Sequence, residues 1–142
     1  MSKKTLAHIG YAVPHLEGAL KRFVHEGAVV VIPPTRDPIQ KVVVCLLRVD
    51  EAANVELVAP IDESDCPIHS RLARGGGLDH LCYFVDDLAE ALAEEQARGA
   101  LVVCEPCKAV AFHRLVAFAH RRSGMVVELM TRNEMSSEGE QP

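Results

Sequence analysis

Apolar and polar positions alternate over residues 6–13. Apolar positions then recur every three or four residues through Leu16, Ala19, Leu20 and Phe23, and short runs rich in β-branched residues follow near 28–32, 41–49 and 53–59. A period of two marks a strand with one buried face, and a period near 3.6 marks an amphipathic helix, so this stretch predicts the order β-α-β-β-β. The order then repeats. A strand is predicted over 78–85, a helix with Leu88, Ala91, Leu92 and Gln96 on one stripe, and strands near 100–104, 113–120 and 124–131. Asp86-Asp87 offers an N-cap to the second helix and Gly99 ends it, while Pro14-His15 opens the first helix and Gly27 closes it.

The recurrence extends to the residues themselves. Residues 6–58 lie over residues 78–130 without a gap, and 16 of the 53 pairs are identical, against roughly four expected by chance for this composition. Leu6, His8, Tyr11 and Val13 match Leu78, His80, Tyr83 and Val85; Val55-Glu56-Leu57 matches Val127-Glu128-Leu129. An internal duplication is the simplest account. The chain therefore divides into a first module at 4–60, a connector at 61–77, a second module at 78–132 and a polar tail at 133–142 expected to be disordered, all within one structural domain. In the connector, Pro67 can occupy the first turn of a short helix with Ile68 and Leu72 facing inward, and Gly75-Gly76-Gly77 leads into the second copy.

Because side chains alternate along a strand, Ile9, Tyr11 and Val13 should pack beneath the helix while His8, Gly10 and Ala12 point to the opposite face. Glu56 likewise stands opposite its neighbours Val55 and Leu57, and Glu128 repeats that placement between Val127 and Leu129. A carboxylate in the middle of an apolar strand either lies on a solvated face or is buried at a cost that a cation or dense hydrogen bonding must offset. The solvated reading does not explain why a His and a Glu persist at matching places in both copies while other polar positions, such as Lys21 against Ala93, have changed. An approximate two-fold relating the copies would bring His8, Glu56, His80 and Glu128 toward one centre. Imidazole and carboxylate donors suit zinc, nickel, cobalt, iron or manganese, and donor type alone does not choose among them.

Other features narrow the function. A formal charge of −5 and a pI near 5.8 leave no basic stripe for a nucleic acid. No apolar run approaches the ~20 residues that cross a bilayer, and the Met-Ser-Lys-Lys start lacks the apolar stretch of a signal peptide, so a cytoplasmic protein is expected. Cys45, Cys66, Cys82, Cys104 and Cys107 show no spacing typical of a secreted disulfide scaffold and are expected to be reduced. Cys104-Glu-Pro-Cys107 has the C-x-x-C form but lacks a second pair for zinc or a following helix start to activate a thiol. His15, His25, His69, His113 and His120 have no counterparts in the other copy and are expected at the surface or at caps. Arg71, Arg74, Lys108, Arg114, Arg121 and Arg122 are candidates for an anionic substrate handle, with solvated surface charge the more ordinary reading.

These residues resemble the vicinal oxygen chelate superfamily, which includes glyoxalase I, methylmalonyl-CoA epimerase, ring-cleaving dioxygenases and bleomycin- or fosfomycin-resistance proteins. The likeness covers nearly all of 4–132, and the segments 8–14, 55–60, 64–68, 75–87, 116–120 and 124–129 look most like methylmalonyl-CoA epimerases. The resemblance implies an α+β fold in which two tandem β-α-β-β-β modules form a cup-shaped incomplete barrel of about eight strands around a divalent metal ion. Its ligands would be His8, Glu56, His80 and Glu128. It implies an epimerase or isomerase that abstracts a proton alpha to a carbonyl through a metal-stabilised enolate, with Glu128 as first candidate base and Glu56 as second. The alternatives are a glyoxalase I-type lyase and a non-catalytic small-molecule binding or resistance protein. The expected partners are a small-molecule substrate of the acyl-CoA kind and a second copy of the chain in a homodimer.

Overall fold

A computed structural model of the chain describes residues 3–135. Its elements follow in the order β1 (Thr5–Ala12), α1 (Leu16–His25), β2 (Val29–Asp37), β3 (Val42–Asp50), β4 (Ala53–Pro60), α2 (His69–Ala73), β5 (Gly77–Val85), α3 (Leu88–Ala97), β6 (Leu101–Ala109), β7 (Arg114–His120) and β8 (Val126–Thr131). The fold is α+β. The strands are hydrogen-bonded in the order β2-β3-β4-β1-β5-β8-β7-β6.

Contacts divide the chain into two compact units, one taking His8–His80 and the other the chain on either side of it. In the first, β1 runs parallel to β4, and β4, β3 and β2 are antiparallel. Helix α1 covers one face, where Leu16, Ala19, Leu20 and Phe23 pack on Val13, Cys45, Leu47, Leu57 and Ala59. In the second unit β5 runs parallel to β8, and β8, β7 and β6 are antiparallel. Helix α3 packs Leu88, Ala91 and Leu92 on Val85, Ala117, Ala119, Val127 and Leu129. Asp87 caps that helix, its Oδ1 accepting from the Glu90 N–H at 2.9 Å.

Duplication is visible in the register. Gly10 lies opposite Glu56, Glu56 opposite Leu46 and Leu46 opposite Ile32. Cys82, Glu128, Phe118 and Cys104 make the same row in the second unit, offset by the 72 residues that separate His8 from His80. Residues directly opposite one another on neighbouring strands present side chains to the same face. Each row therefore lies on the face away from its helix.

Four local expectations need correction. Tyr11 does not pack beneath α1; it is 41% exposed, and the buried face of β1 carries His8, Gly10 and Ala12. On α3 the buried polar residue is Glu95 rather than Gln96, because Glu95 continues the stripe of Leu88, Ala91 and Leu92 and meets a guanidinium. Strands β2 and β6 continue beyond 32 and 104 to Asp37 and Ala109, through register shifts around Pro33, Pro34 and Pro106. Both occupy the ends of the strand order, where a missing N–H and a bulge are tolerated. Helix α2 begins at His69, so Pro67 sits in the preceding turn; Ile68 is buried and Leu72 half-buried.

Gly75, Gly76 and Gly77 all have positive φ. At Gly76 a Cβ would also stand only 2.9 Å from the Ala12 carbonyl oxygen, so this turn into β5 needs glycine there. The expectation for 133–142 falls mostly on residues outside those described; the Met135 N–H donates to the His113 carbonyl at 2.7 Å. No helix among the described residues is long and apolar enough to cross a membrane.

Candidate metal centre

Within the unit His8–His80, three residues distant in sequence converge. Parallel pairing of β1 with β4 sets His8 near Glu56, and β5 brings in His80. His8 Nε2 stands 3.3 Å from Glu56 Oε1, His80 Nε2 stands 3.2 Å from the same oxygen, and the two Nε2 atoms are 3.4 Å apart. The three residues are 2%, 5% and 2% exposed. The imidazoles meet edge to face, with ring centroids 5.5 Å apart.

Two neighbours hold His80 in this pose. Gly10 makes room for it, since a Cβ at that position would overlap the His80 ring. Asp79 Oδ2 lies 2.8 Å from His80 Nδ1, so that nitrogen carries the proton donated to the carboxylate. In the neutral ring, Nε2 then presents a lone pair toward Glu56 Oε1, which is also an acceptor. Two buried acceptors at 3.2 Å repel one another unless a proton or a metal cation lies between them.

A divalent ion fits the donors. Adjacent donors about 2.1 Å from one ion stand roughly 3.0 Å apart in octahedral and 3.4 Å apart in tetrahedral geometry, and the three observed separations fall in that interval. The donors are one carboxylate and two imidazoles, the set that borderline cations accept. The carboxylate on His80 Nδ1 matches the outer support that metal-binding histidines commonly have.

Glu128 belongs to the other unit. It is buried on β8, opposite Cys82 on one side and Phe118 on the other, in the place that Glu56 occupies on β4. Of the remaining histidines, His15, His25, His113 and His120 are exposed and His69 is half-buried.

The superfamily described as glyoxalase/bleomycin resistance protein/dioxygenase matches residues 7–118. The chain belongs to that superfamily. An ethylmalonyl-CoA/methylmalonyl-CoA epimerase from Cereibacter sphaeroides is 30% identical to this member over 129 residues, 87% of this chain and 95% of the relative. Among solved structures, a methylmalonyl-CoA epimerase from Mycobacterium tuberculosis superposes with a TM-score of 0.78 at 26% identity, covering 96% of this chain and 91% of the other. A hypothetical protein from Bacillus halodurans C-125 superposes with a TM-score of 0.80 at 26% identity, covering 95% and 99%.

Sequence reasoning overlooked Asp79 and Gly10 as parts of this candidate site. Asp79 was legible as an acid directly preceding a candidate ligand. Gly10 carried no signal beyond being a small residue two positions from His8, because the ring that fills its space comes from a distant strand.

The candidate substrate handles also divide. Arg121 donates two bonds of 2.9 Å to the buried Glu95, and Arg114 donates to the Phe112 carbonyl at 3.1 Å. Arg74 and Arg122 are exposed.

Proposed function

We propose that the chain is a divalent-metal-dependent epimerase acting on the carbon between a thioester carbonyl and a carboxylate, in an acyl-CoA of the methylmalonyl-CoA kind. The observation that carries this reading is the convergence of His8, Glu56 and His80 on one buried point, with His80 oriented by Asp79. The names of the curated relative and of the Mycobacterium tuberculosis structure support the choice of substrate class.

His8, Glu56, His80 and Glu128 form the proposed donor set, with Glu128 assigned by its equivalence to Glu56 in the repeat. A bound divalent ion supplies Lewis-acid polarisation of a carbonyl oxygen, which acidifies the adjacent C–H. Glu128 is the proposed base, removing the proton from that carbon, and Glu56 is the second candidate, returning a proton to the opposite face. The surroundings suit this assignment. On β3, Val42, Val44 and Leu46 share the face of Glu56 and are buried and apolar, while Arg48 further along that face is exposed, so the buried part of that strand offers no competing acid or base. Low polarity around the carboxylates strengthens their interaction with developing charge.

The test is solvent-deuterium incorporation into methylmalonyl-CoA by protein loaded with a divalent ion. The proposal expects exchange at the α-carbon that is lost on chelation and restored on reloading. Tight binding of the thioester without exchange would support a binding protein instead. Exchange unaffected by chelation would contradict the metal-dependent part of the reading.

A further inference from the structure

The C-x-x-C segment lies on β6, outside the donor set. Two residues three apart on a regular strand point to opposite faces. Here they do not. Cys104 pairs with Phe118 and Cys107 with Val116, with a register shift between them that accommodates Glu105 and Pro106. Phe118 and Val116 are two apart on β7 and share a face, so the bulge brings both thiols to one side of the sheet. Their sulfurs are 3.8 Å apart and both residues are half-buried.

The fold does not call for these thiols. The first copy has the same register break between Ile32 and Thr35, the residues equivalent to Cys104 and Cys107, so a bulged strand forms without either cysteine. Nor are the other cysteines comparable. Cys45, Cys66 and Cys82 are buried, and burial raises the Cys45 thiol above its usual range, which suppresses the thiolate that reacts.

We infer that Cys104 and Cys107 are a redox-active dithiol that a peroxide closes to an intrachain disulfide and a thiol reductant reopens. One sulfur, as thiolate, attacks a peroxide oxygen; the O–O bond breaks, leaving a sulfenic acid and hydroxide, which takes up a proton to become water. The second thiolate then attacks the sulfenic sulfur, the S–O bond breaks, the S–S bond forms and hydroxide leaves, taking up a proton to become a second water. Two thiols are oxidised and one peroxide is reduced. Bonding requires the sulfurs to approach by roughly 1.8 Å, within the reach of side-chain rotation. Cys104 also shares a row with Glu128 through Phe118, two strand spacings or about 10 Å away.

The test uses the whole chain, treated with hydrogen peroxide, quenched, alkylated with a maleimide and digested with trypsin. Residues 99–108 form one tryptic peptide that holds these two cysteines and no other. The expected result is an unalkylated peptide about 2 Da lighter than the dithiol form, which takes up two maleimides after dithiothreitol treatment. In Cys107→Ser the link should be lost and a sulfenic acid on Cys104 should be trapped by dimedone. Two maleimides on the peptide without prior reduction, a link to Cys45, Cys66 or Cys82, or an oxidised product that dithiothreitol does not reverse would each overturn the inference.

Discussion

Asp79 accepts a hydrogen bond from His80 at 2.8 Å, through the imidazole nitrogen that faces away from Glu56. That one contact fixes both the ring orientation and the tautomer, leaving Nε2 as the donor atom. It links a residue with no proposed ligand role to the chemistry of the centre.

Asp79→Asn should keep the fold and lower divalent-ion affinity by about 10- to 100-fold, the usual cost of removing such support. Isothermal titration with zinc or cobalt measures it. An unchanged affinity would mean that His80 is oriented by its packing alone.

Gly10→Ala forces a methyl group into the space of the His80 ring. The ring must turn away from Glu56, so affinity for the ion should fall at least about tenfold, with a stability loss of about 1–3 kcal/mol from overpacking. Titration and thermal melting of the same variant separate the two effects. The contrasting case is Gly18→Ala, where nothing stands within 4 Å of the new Cβ and metal affinity should not change.

The pair Glu95 and Arg121 predicts an acid limit. Two hydrogen bonds from the Arg121 guanidinium hold the Glu95 carboxyl below the usual carboxylate range, against the opposing effect of burial, and attraction from Arg121 and Lys4 adds to this. A depressed folded-state value means that the pair's contribution is fully present above the unfolded glutamate value of about 4.3 and is lost as pH falls through the lower folded value. Glu95→Gln should therefore melt lower than the parent at neutral pH and show a shallower decline below about pH 4.5. Parallel melting curves across the acid range would refute this if the two proteins differed by a constant amount.

Much of this fold was legible because the chain contains two copies of one pattern. A single short apolar run leaves strand and helix ambiguous, whereas two gap-free copies with matching Leu, Gly and Val positions constrain each other. His8 and Glu56 stood out for the same reason. Illegible features arose where distant elements meet: Gly10 is dictated by a ring from β5 and Glu95 by a guanidinium that follows β7. Tyr11 shows the limit of alternation, which assigns two faces but not the extent to which the helix covers one of them. Prolines at 33, 34 and 106 shortened the expected strands, although at an edge a bulge can absorb them.

Glu128→Gln tests the proposed division of labour. If Glu128 removes the proton, deuterium exchange should fall by about 10²- to 10⁴-fold in protein that still carries its ion. Full exchange activity would move the base to another residue.

His8, Glu56 and His80 should together hold one divalent ion. Elemental analysis of the parent chain and of His8→Ala, after equilibration with cobalt and exhaustive dialysis, reads it most directly. One ion per chain in the parent and almost none in the variant is the predicted result; the same ion content in both would contradict it.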